Sequence, residues 1–470
     1  MQSAAVRSHS DGGIADEPIA AAALAEAAPA RAGRQLRRRW TRGLDSAIGR
    51  IVEPVAAALI VIEVVVLGAE VYTRYVMDNA IVWADDLAGT LFLWLTMLGA
   101  VAAYRRGEHL GFSALVRRMS QRAAEICDVI ATTLVAVFSL EVLAAVTWPA
   151  VIPKTSGLGG LVASIVTGQF FAASYLGQEA TDMSPALQMP RSYVVLGIVV
   201  GLLFMLILAL LRLADRPLRA VLPVVVATIA VGAAAYLGRS VLAELGNVNL
   251  VLFFVLFLGG EIAIGVPIAF AFGIATLSYL GLATSVPLSV IAGQMDEGMT
   301  DLVLLAIPLF VLLGLLIDAT GIARRLVEAI AAFVGHLKGG LNIVLVAAMF
   351  LVSGISGSKL ADMAAVTPVL FPEMERRGHD RGQMIALLST SGAMAELIPP
   401  SLVLIIVGTV CNLSIAALFT GGLLPAAVAA LALIVVALFR SRGDNEAVAK
   451  RIGFADRFKA LFVAIPGLLL

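Results

Sequence analysis

Cysteine is nearly absent: Cys127 and Cys411 are the two in 470 residues, both in apolar stretches and outside any metal-ligand spacing. That excludes a disulfide framework and a thiolate zinc site. Histidine is also scarce. His9, His109, His336 and His379 are scattered, and no H-E-x-x-H pair occurs. Charged residues make up only 14% of the chain, and 33 basic residues balance 33 acidic ones. No basic excess points to nucleic acid. What fills the chain instead is apolar: 60% of residues are hydrophobic and the mean hydropathy is +0.97. A soluble domain needs more charge to cover its surface, so the excess must face lipid. The expected class is an all-α integral membrane protein, multi-pass in the lipid bilayer and not an enzyme.

Residues 1–43 are a different material, rich in Ala with Ser, Gly and acidic residues, ending in the basic run Arg34, Arg37, Arg38, Arg39, Arg42. A secretory signal needs its apolar core directly after the charges. Here Asp45, Arg50 and Glu53 interrupt. The segment reads as a disordered cytoplasmic tail with a positive-inside anchor.

A membrane span needs about 20 mostly apolar residues. Candidates are 52–71, 87–104, 126–148, 194–213 and 221–237, then 248–260, 266–280, 302–317, 341–370, 384–410 and 415–439. Basic residues fix sidedness. The Arg34–Arg42 cluster, Arg105, Arg106, Arg117 and Arg118, and the run from Arg212 to Arg219 recur at alternate ends of the first four spans. Both termini of this four-span domain, 44–214, are therefore cytoplasmic. A connecting helix within 215–247 carries the chain outward to a second region, 248–470.

The count then places Arg324, Arg325 and Lys338 in the cytoplasm. If 341–370 were one span, Arg376, Arg377 and Arg381 would lie outside, against the rule. At its midpoint stands Ser353-Gly354-Ile355-Ser356-Gly357-Ser358-Lys359. Charge and break together predict a re-entrant hairpin, non-helical at a depth where backbone must line a cavity or be buried in protein.

The stretch 384–410 is also interrupted, by Ser389-Thr390-Ser391 and by Glu396-Leu397-Ile398-Pro399-Pro400-Ser401. Consecutive prolines remove two amide donors and clash with the preceding turn, freeing carbonyls. A hairpin tip beside an unwound helix is what the ion site of a secondary transporter looks like. The candidate cation ligands are Gly354, Ser356, Gly357, Ser358, Thr390 and Ser401, with Asp362, Pro399 and Pro400 shaping the site.

Blander readings stand beside these. Ser356, Gly357 and Ser358 are small enough to be helix-packing residues, though their clustering in a central break favours a ligand site. Asp362 is either part of a ligand shell or the partner of Lys359, three residues earlier. Glu63 and Glu141 fit buried polar contacts between helices better than a proton relay. Pro308 is expected to kink its span. Gly354-Ile355-Ser356-Gly357 matches the G-x-S-G of an intramembrane serine protease, but no histidine lies inside a span to act as base. A non-transporting scaffold would not need such costly breaks.

At these motifs the chain resembles a known family. Val71-Tyr72-Thr73-Arg74-Tyr75-Val76, Trp83-Ala84-Asp85-Asp86-Leu87-Ala88, Trp94, and Gly99 through Arg105-Arg106-Gly107-Glu108-His109 resemble the small Q subunit of TRAP (tripartite ATP-independent periplasmic) transporters. So does Ser184-Pro185-Ala186-Leu187-Gln188-Met189-Pro190. Gly89 departs from the pattern, standing where that subunit has arginine. From residue 248 the chain is similar to the large M subunit. The likeness is carried by Gly265-Val266-Pro267, Ala306-Ile307-Pro308-Leu309-Phe310, Gly321-Ile322-Ala323-Arg324-Arg325-Leu326 and Gly335-His336-Leu337-Lys338-Gly339-Gly340. Gly354-Ile355-Ser356-Gly357-Ser358, Ala361-Asp362 and Ile398-Pro399-Pro400-Ser401 carry it further.

The resemblance implies sodium-coupled import of an organic acid, delivered by a periplasmic substrate-binding protein, across a bacterial or archaeal inner membrane. It implies no cofactor beyond sodium as coupling ion, and an elevator-type transport subunit. It assigns no role to Glu396 or Lys359. Trp83, Asp85 and Asp86 then read as an interfacial anchor or, less favoured, a binding-protein contact. The family's large subunit has two inverted repeats, and this chain carries the first hairpin and broken helix. The expectation is a C-terminally incomplete large-subunit part, either a fragment or completed by a separate chain with the second repeat, and not transport-competent alone.

Overall fold

The computed structural model describes residues 17–112, 114–147, 174–356, 359–441 and 453–468. The described residues are helical apart from connections and one isolated antiparallel bridge between Met183 and Pro190. The chain divides into two compact units, Met1–Thr300 and Asp301–Leu470.

In the first unit, α1 (Glu17–Val76), α2 (Ala84–Arg106), α3 (Gln121–Thr147) and α5 (Ser192–Asp215) pack on one another, with the short α4 (Tyr175–Glu179) before α5. Leu93, Val101, Val135, Val142, Ile198 and Leu202 are buried in their shared core. Small residues set the spacing. A Cβ at Gly197 would stand 2.7 Å from Leu93 Cδ2, and one at Gly201 would stand 2.6 Å from Met97 Cε. This four-residue repeat of glycine on α5 lets α2 approach closely, as in packed membrane helices.

Beyond α5 come α6 (Leu218–Leu237), α7 (Arg239–Glu244), α8 (Val248–Ala263, with a π-helical stretch Leu252–Phe257), α9 (Ile268–Ala283) and α10 (Ser289–Thr300). Two groups of connections form at opposite ends of these helices. At one end, Ile268 N donates to Leu110 O at 2.9 Å, Arg212 donates to Tyr104 O, and Arg216 pairs with Asp128. At the other, the Asp86 carboxylate accepts from Ser184 Oγ at 2.5 Å and Ala186 N at 2.7 Å. The basic connections thus gather at one end, as the charge pattern of the sequence requires.

The second unit is built around α13 (Gly340–Ser356). Packed on it are α11 (Ala306–Ala319), α12 (Ile322–Val334), α14 (Lys359–Arg376), α15 (Arg381–Met394) and α17 (Ile415–Ser441). Two further helices are α16 (Leu402–Val410) and α18 (Phe454–Leu468), the latter lying on α12. On α12, Ala323, Leu326, Val327 and Ile330 recur with helical period and face the core holding Leu345, Met349 and Met374.

Among the described residues, six helices are long and apolar enough to cross a membrane: Trp40–Val76, Ala84–Arg106, Gln121–Thr147, Ser192–Asp215, Leu218–Leu237 and Ile415–Arg440. Within the segment 1–43, α1 begins at Glu17. Two expectations change. Residues 248–260 and 266–280 form short apolar helices rather than full-length spans. The bend expected at Pro308 falls elsewhere, since Pro308 sits in the first turn of α11 where its missing N–H costs little. It falls at Gly321, φ +69°, where Ala306–Ile317 and Ile322–Val334 meet at 62°.

Candidate transport site

Where the re-entrant hairpin was expected, α13 and α14 pack on each other as a pair of helical arms. α13 ends at Ser356 and α14 starts at Lys359. The two outer ends meet: Arg377, just past α14, donates from Nη1 to the carbonyl of Gly335, just before α13, at 2.5 Å. Near the tip, Ser353 Oγ donates to Asp362 Oδ2 at 2.5 Å, and both residues are fully buried. Asp362 therefore has a structural partner that the sequence reading passed over, one turn earlier on the opposite arm.

The broken helix is present. α15 ends at Met394, a 3-10 turn covers Ala395–Leu397, and α16 resumes at Leu402 after a cis Pro399–Pro400 bond. Ser401 is the N-cap of α16, in extended conformation, its Oγ accepting from Leu404 N at 3.2 Å. The same hydroxyl donates to Glu396 O at 2.6 Å, taking up one of the carbonyls that the prolines leave without a helical donor.

Tip and break adjoin. A Cβ placed on Gly354 would stand 3.5 Å from Ile398 Cγ2 and 3.7 Å from the Pro399 carbonyl oxygen. Below the tip, a Cβ on Gly392 would collide with Met363 of α14 at 2.1 Å. Glycine at 354 lets the first arm, and glycine at 392 the second arm, come directly against the broken helix.

The candidate ligands fare differently. Gly354 stands beside the Pro399 carbonyl, and Ser401 closes the break. Ser356 is the last residue of α13, while Gly357 and Ser358 lie outside the described residues. Thr390 is exposed, its Oγ1 donating to Ala386 O at 2.8 Å. It lines a cleft of about 390 Å³ with Asn342, Asp380, Gln383 and Arg440. Its neighbour Ser391 was not singled out from sequence. Ser391 is fully buried, and its hydroxyl has no hydrogen-bond partner. An unspent buried hydroxyl is the kind of polar group that calls for a partner, and it is a hard oxygen of the sort small hard cations take.

The described histidines sit in connections: His109 after α2, His336 after α12 and His379 after α14. Of the other singled-out residues, Asp86 is spent on the 184–187 loop, and Arg74 pairs with Glu70 and lies 3.9 Å from Asp85. Trp83 is exposed at the same end. Gly89 faces the end of α10: a Cβ there would stand 3.2 Å from Thr300 O, leaving no room for a large side chain on that line. Glu63 is buried with Oε1 lacking a hydrogen-bond partner, and Glu141 is exposed on α3. The expected polar contacts between helices are not formed by Glu63 Oε1.

These features define a multi-pass, all-α membrane protein in which a helical hairpin is packed against a broken helix. Residues 63–219 match the family "Tripartite ATP-independent periplasmic transporters, DctQ component", and residues 250–470 match "Tripartite ATP-independent periplasmic transporter, DctM component". The chain belongs to the TRAP transporter membrane components, with DctQ-like and DctM-like segments fused in one polypeptide, and is not an enzyme. It is similar to the sialic acid TRAP transporter permease protein SiaT of Haemophilus influenzae, 25% identical over 84% of this chain and 61% of the relative. The isethionate TRAP transporter permease protein DctMQ of Oleidesulfovibrio alaskensis is 28% identical over 77% of this chain and 53% of its own. An uncharacterized protein, YgiK of Salmonella typhimurium, is 38% identical over 44% of this chain and 49% of its own. The chain spans about half the length of the curated relatives it matches.

Proposed function

We propose that this chain is the membrane permease component of a sodium-coupled secondary importer that carries an organic acid across the inner membrane. The cargo would come from a periplasmic substrate-binding protein, and the N-terminus would be cytoplasmic. The observation that carries this reading is the apposition of the hairpin tip at Gly354 with the Pro399 carbonyl of the broken helix. Interrupted helices create carbonyl and hydroxyl oxygens that continuous helices withhold, and transporters use them for coupling ions. Family membership adds support. The relatives' names specify sialic acid, isethionate and C4-dicarboxylates, all organic anions. The sodium shell is assigned to Gly354, Ser356, Gly357 and Ser358 on the hairpin and to Ser401 on the broken helix; Thr390, exposed and with its hydroxyl given to Ala386 O, is left out of it. Ser391 joins them on the strength of its unspent buried hydroxyl. Asp362 holds the two arms together through Ser353 and shapes the site without touching the ion.

The test is uptake of a labelled organic acid into proteoliposomes by a complete transporter containing this chain, with its binding protein supplied outside. An inward sodium gradient should drive accumulation, and an equal potassium gradient should not. Accumulation that ignores sodium would end the coupling assignment.

A further inference from the structure

Glu261 follows the apolar run 248–260, near the end of α8. Just beyond it the chain meets the connection after α2: Ile268 N donates to Leu110 O, and a Cβ on Gly111 would stand 3.6 Å from Gly265 O. Glu261 is 3% exposed, yet neither Oε1 nor Oε2 has a hydrogen-bond partner. The π-helical stretch Leu252–Phe257 sets this position. The buried residues of α8 are Asn249, Phe253, Leu258 and Glu261, and the step from Phe253 to Leu258 crosses that stretch in five residues. An uninterrupted α-helix would carry the Asn249–Phe253 stripe on to Phe257 and Gly260, leaving Glu261 about 100° away. Instead Phe257 and Gly260 are exposed and Glu261 faces in. Such π-helical insertions recur at functional sites.

The neighbouring elements bring no cation to this carboxyl. On α9 the one titratable side chain is Tyr279, whose ring meets Phe253 and Phe254, about two turns before Glu261. Arg239 and Glu244 belong to α7, which precedes the other end of α8. In the connection, His109 Nε2 lies 2.9 Å from Ala100 O, and Glu108 is exposed. Arg117 and Arg118 of the 3-10 turn beyond it are exposed as well.

We propose that Glu261 is a proton-binding site, a neutral carboxylic acid turned into the first unit by the π-helical stretch of α8. A carboxylate buried with neither cation nor donor is costly enough that the group keeps its proton instead. An unfolded glutamate releases its proton above about pH 4.3. Folding therefore takes up a proton at Glu261, and the stability this residue allows falls as pH rises. The sodium shell assigned above draws on the second unit, so proton binding here is a separate event.

Infrared spectra of the full chain in mild detergent, parent minus Glu261→Gln, test the proposal. At pH 7 the difference should show the carbonyl stretch of a neutral carboxylic acid; carboxylate bands in its place would overturn the assignment. Thermal unfolding gives a second reading. Between pH 6 and pH 8.5 the parent should lose more thermal stability than Glu261→Gln, which has the same shape and cannot ionise. Equal losses would mean that folding takes up no proton at this residue, and the proposal would fall.

Discussion

Thr390 and Ser391 are neighbours in the chain, yet their hydroxyls have opposite circumstances. Thr390 is exposed and spends its proton on the carbonyl one turn back; Ser391 is buried and has no partner. Ser391→Ala should therefore weaken sodium activation by about tenfold, in the range seen when the surroundings of a metal site are disturbed. Thr390→Ala should leave it nearly unchanged, and sodium titration of uptake measures both. The sequence did not separate the two because α15 is apolar or small on every side, so no stripe marks which hydroxyl faces inward. The bond between Ser353 and Asp362 was equally hidden, since it needs the arms folded together. Ser353→Ala deprives a buried carboxylate of a donor and should cost about 1–3 kcal/mol, read as lost thermal stability in detergent. His109 supplies a pH signature. Burial depresses its pKa, partly offset by its contact with Ala100 O. A histidine held neutral by the fold contributes stability above its ordinary pKa, about 6.5, and that contribution is lost as pH falls below it. The wild type should lose more thermal stability between pH 7.5 and 5.5 than His109→Gln does. Equal losses would deny the histidine this role.

Among the elements, the hairpin and the broken helix were legible because each carries two independent signals. A central Ser-Gly cluster coincides with arginines on the wrong side for a single span, and a Pro-Pro pair interrupts an apolar run. The bend at Gly321 was misplaced to Pro308, because a proline in a first turn does not disturb a helix. The hairpin yields a topological prediction. Lys338 and Arg376 are exposed next to its two ends, and Arg377 ties those ends together. In a background lacking Cys127 and Cys411, Lys338→Cys and Arg376→Cys should react with an impermeant thiol reagent from the same, cytoplasmic, side. Labelling from opposite sides would turn the hairpin into a membrane crossing.

Across the whole molecule, the family boundary and the structural boundary do not coincide. The DctM-like match begins at residue 250, whereas the first compact unit runs to Thr300 and takes α9 and α10 into contact with the DctQ-like helices, with α8 packed on α9. Sequence patterns mark where segments resemble their relatives; burial marks where helices find partners, and α8 to α10 find theirs in the first unit. The hairpin and the break both lie in the second unit. The first unit is thus assigned the role of scaffold, and Glu63→Gln or Glu141→Gln should leave the sodium dependence of uptake where it was.

The central claim is that hairpin tip and broken helix jointly hold sodium. Pro400 touches no ion in this account. It acts by withholding an amide donor, so that carbonyls before it stay free of helical bonds. Sodium titration of uptake by a complete transporter, comparing Ser356→Ala, Ser358→Ala and Pro400→Ala with the parent, tests the claim most directly. Each variant should need about tenfold more sodium for half-maximal rate at normal expression. An unaltered sodium requirement in all three would contradict the claim and place the ion elsewhere.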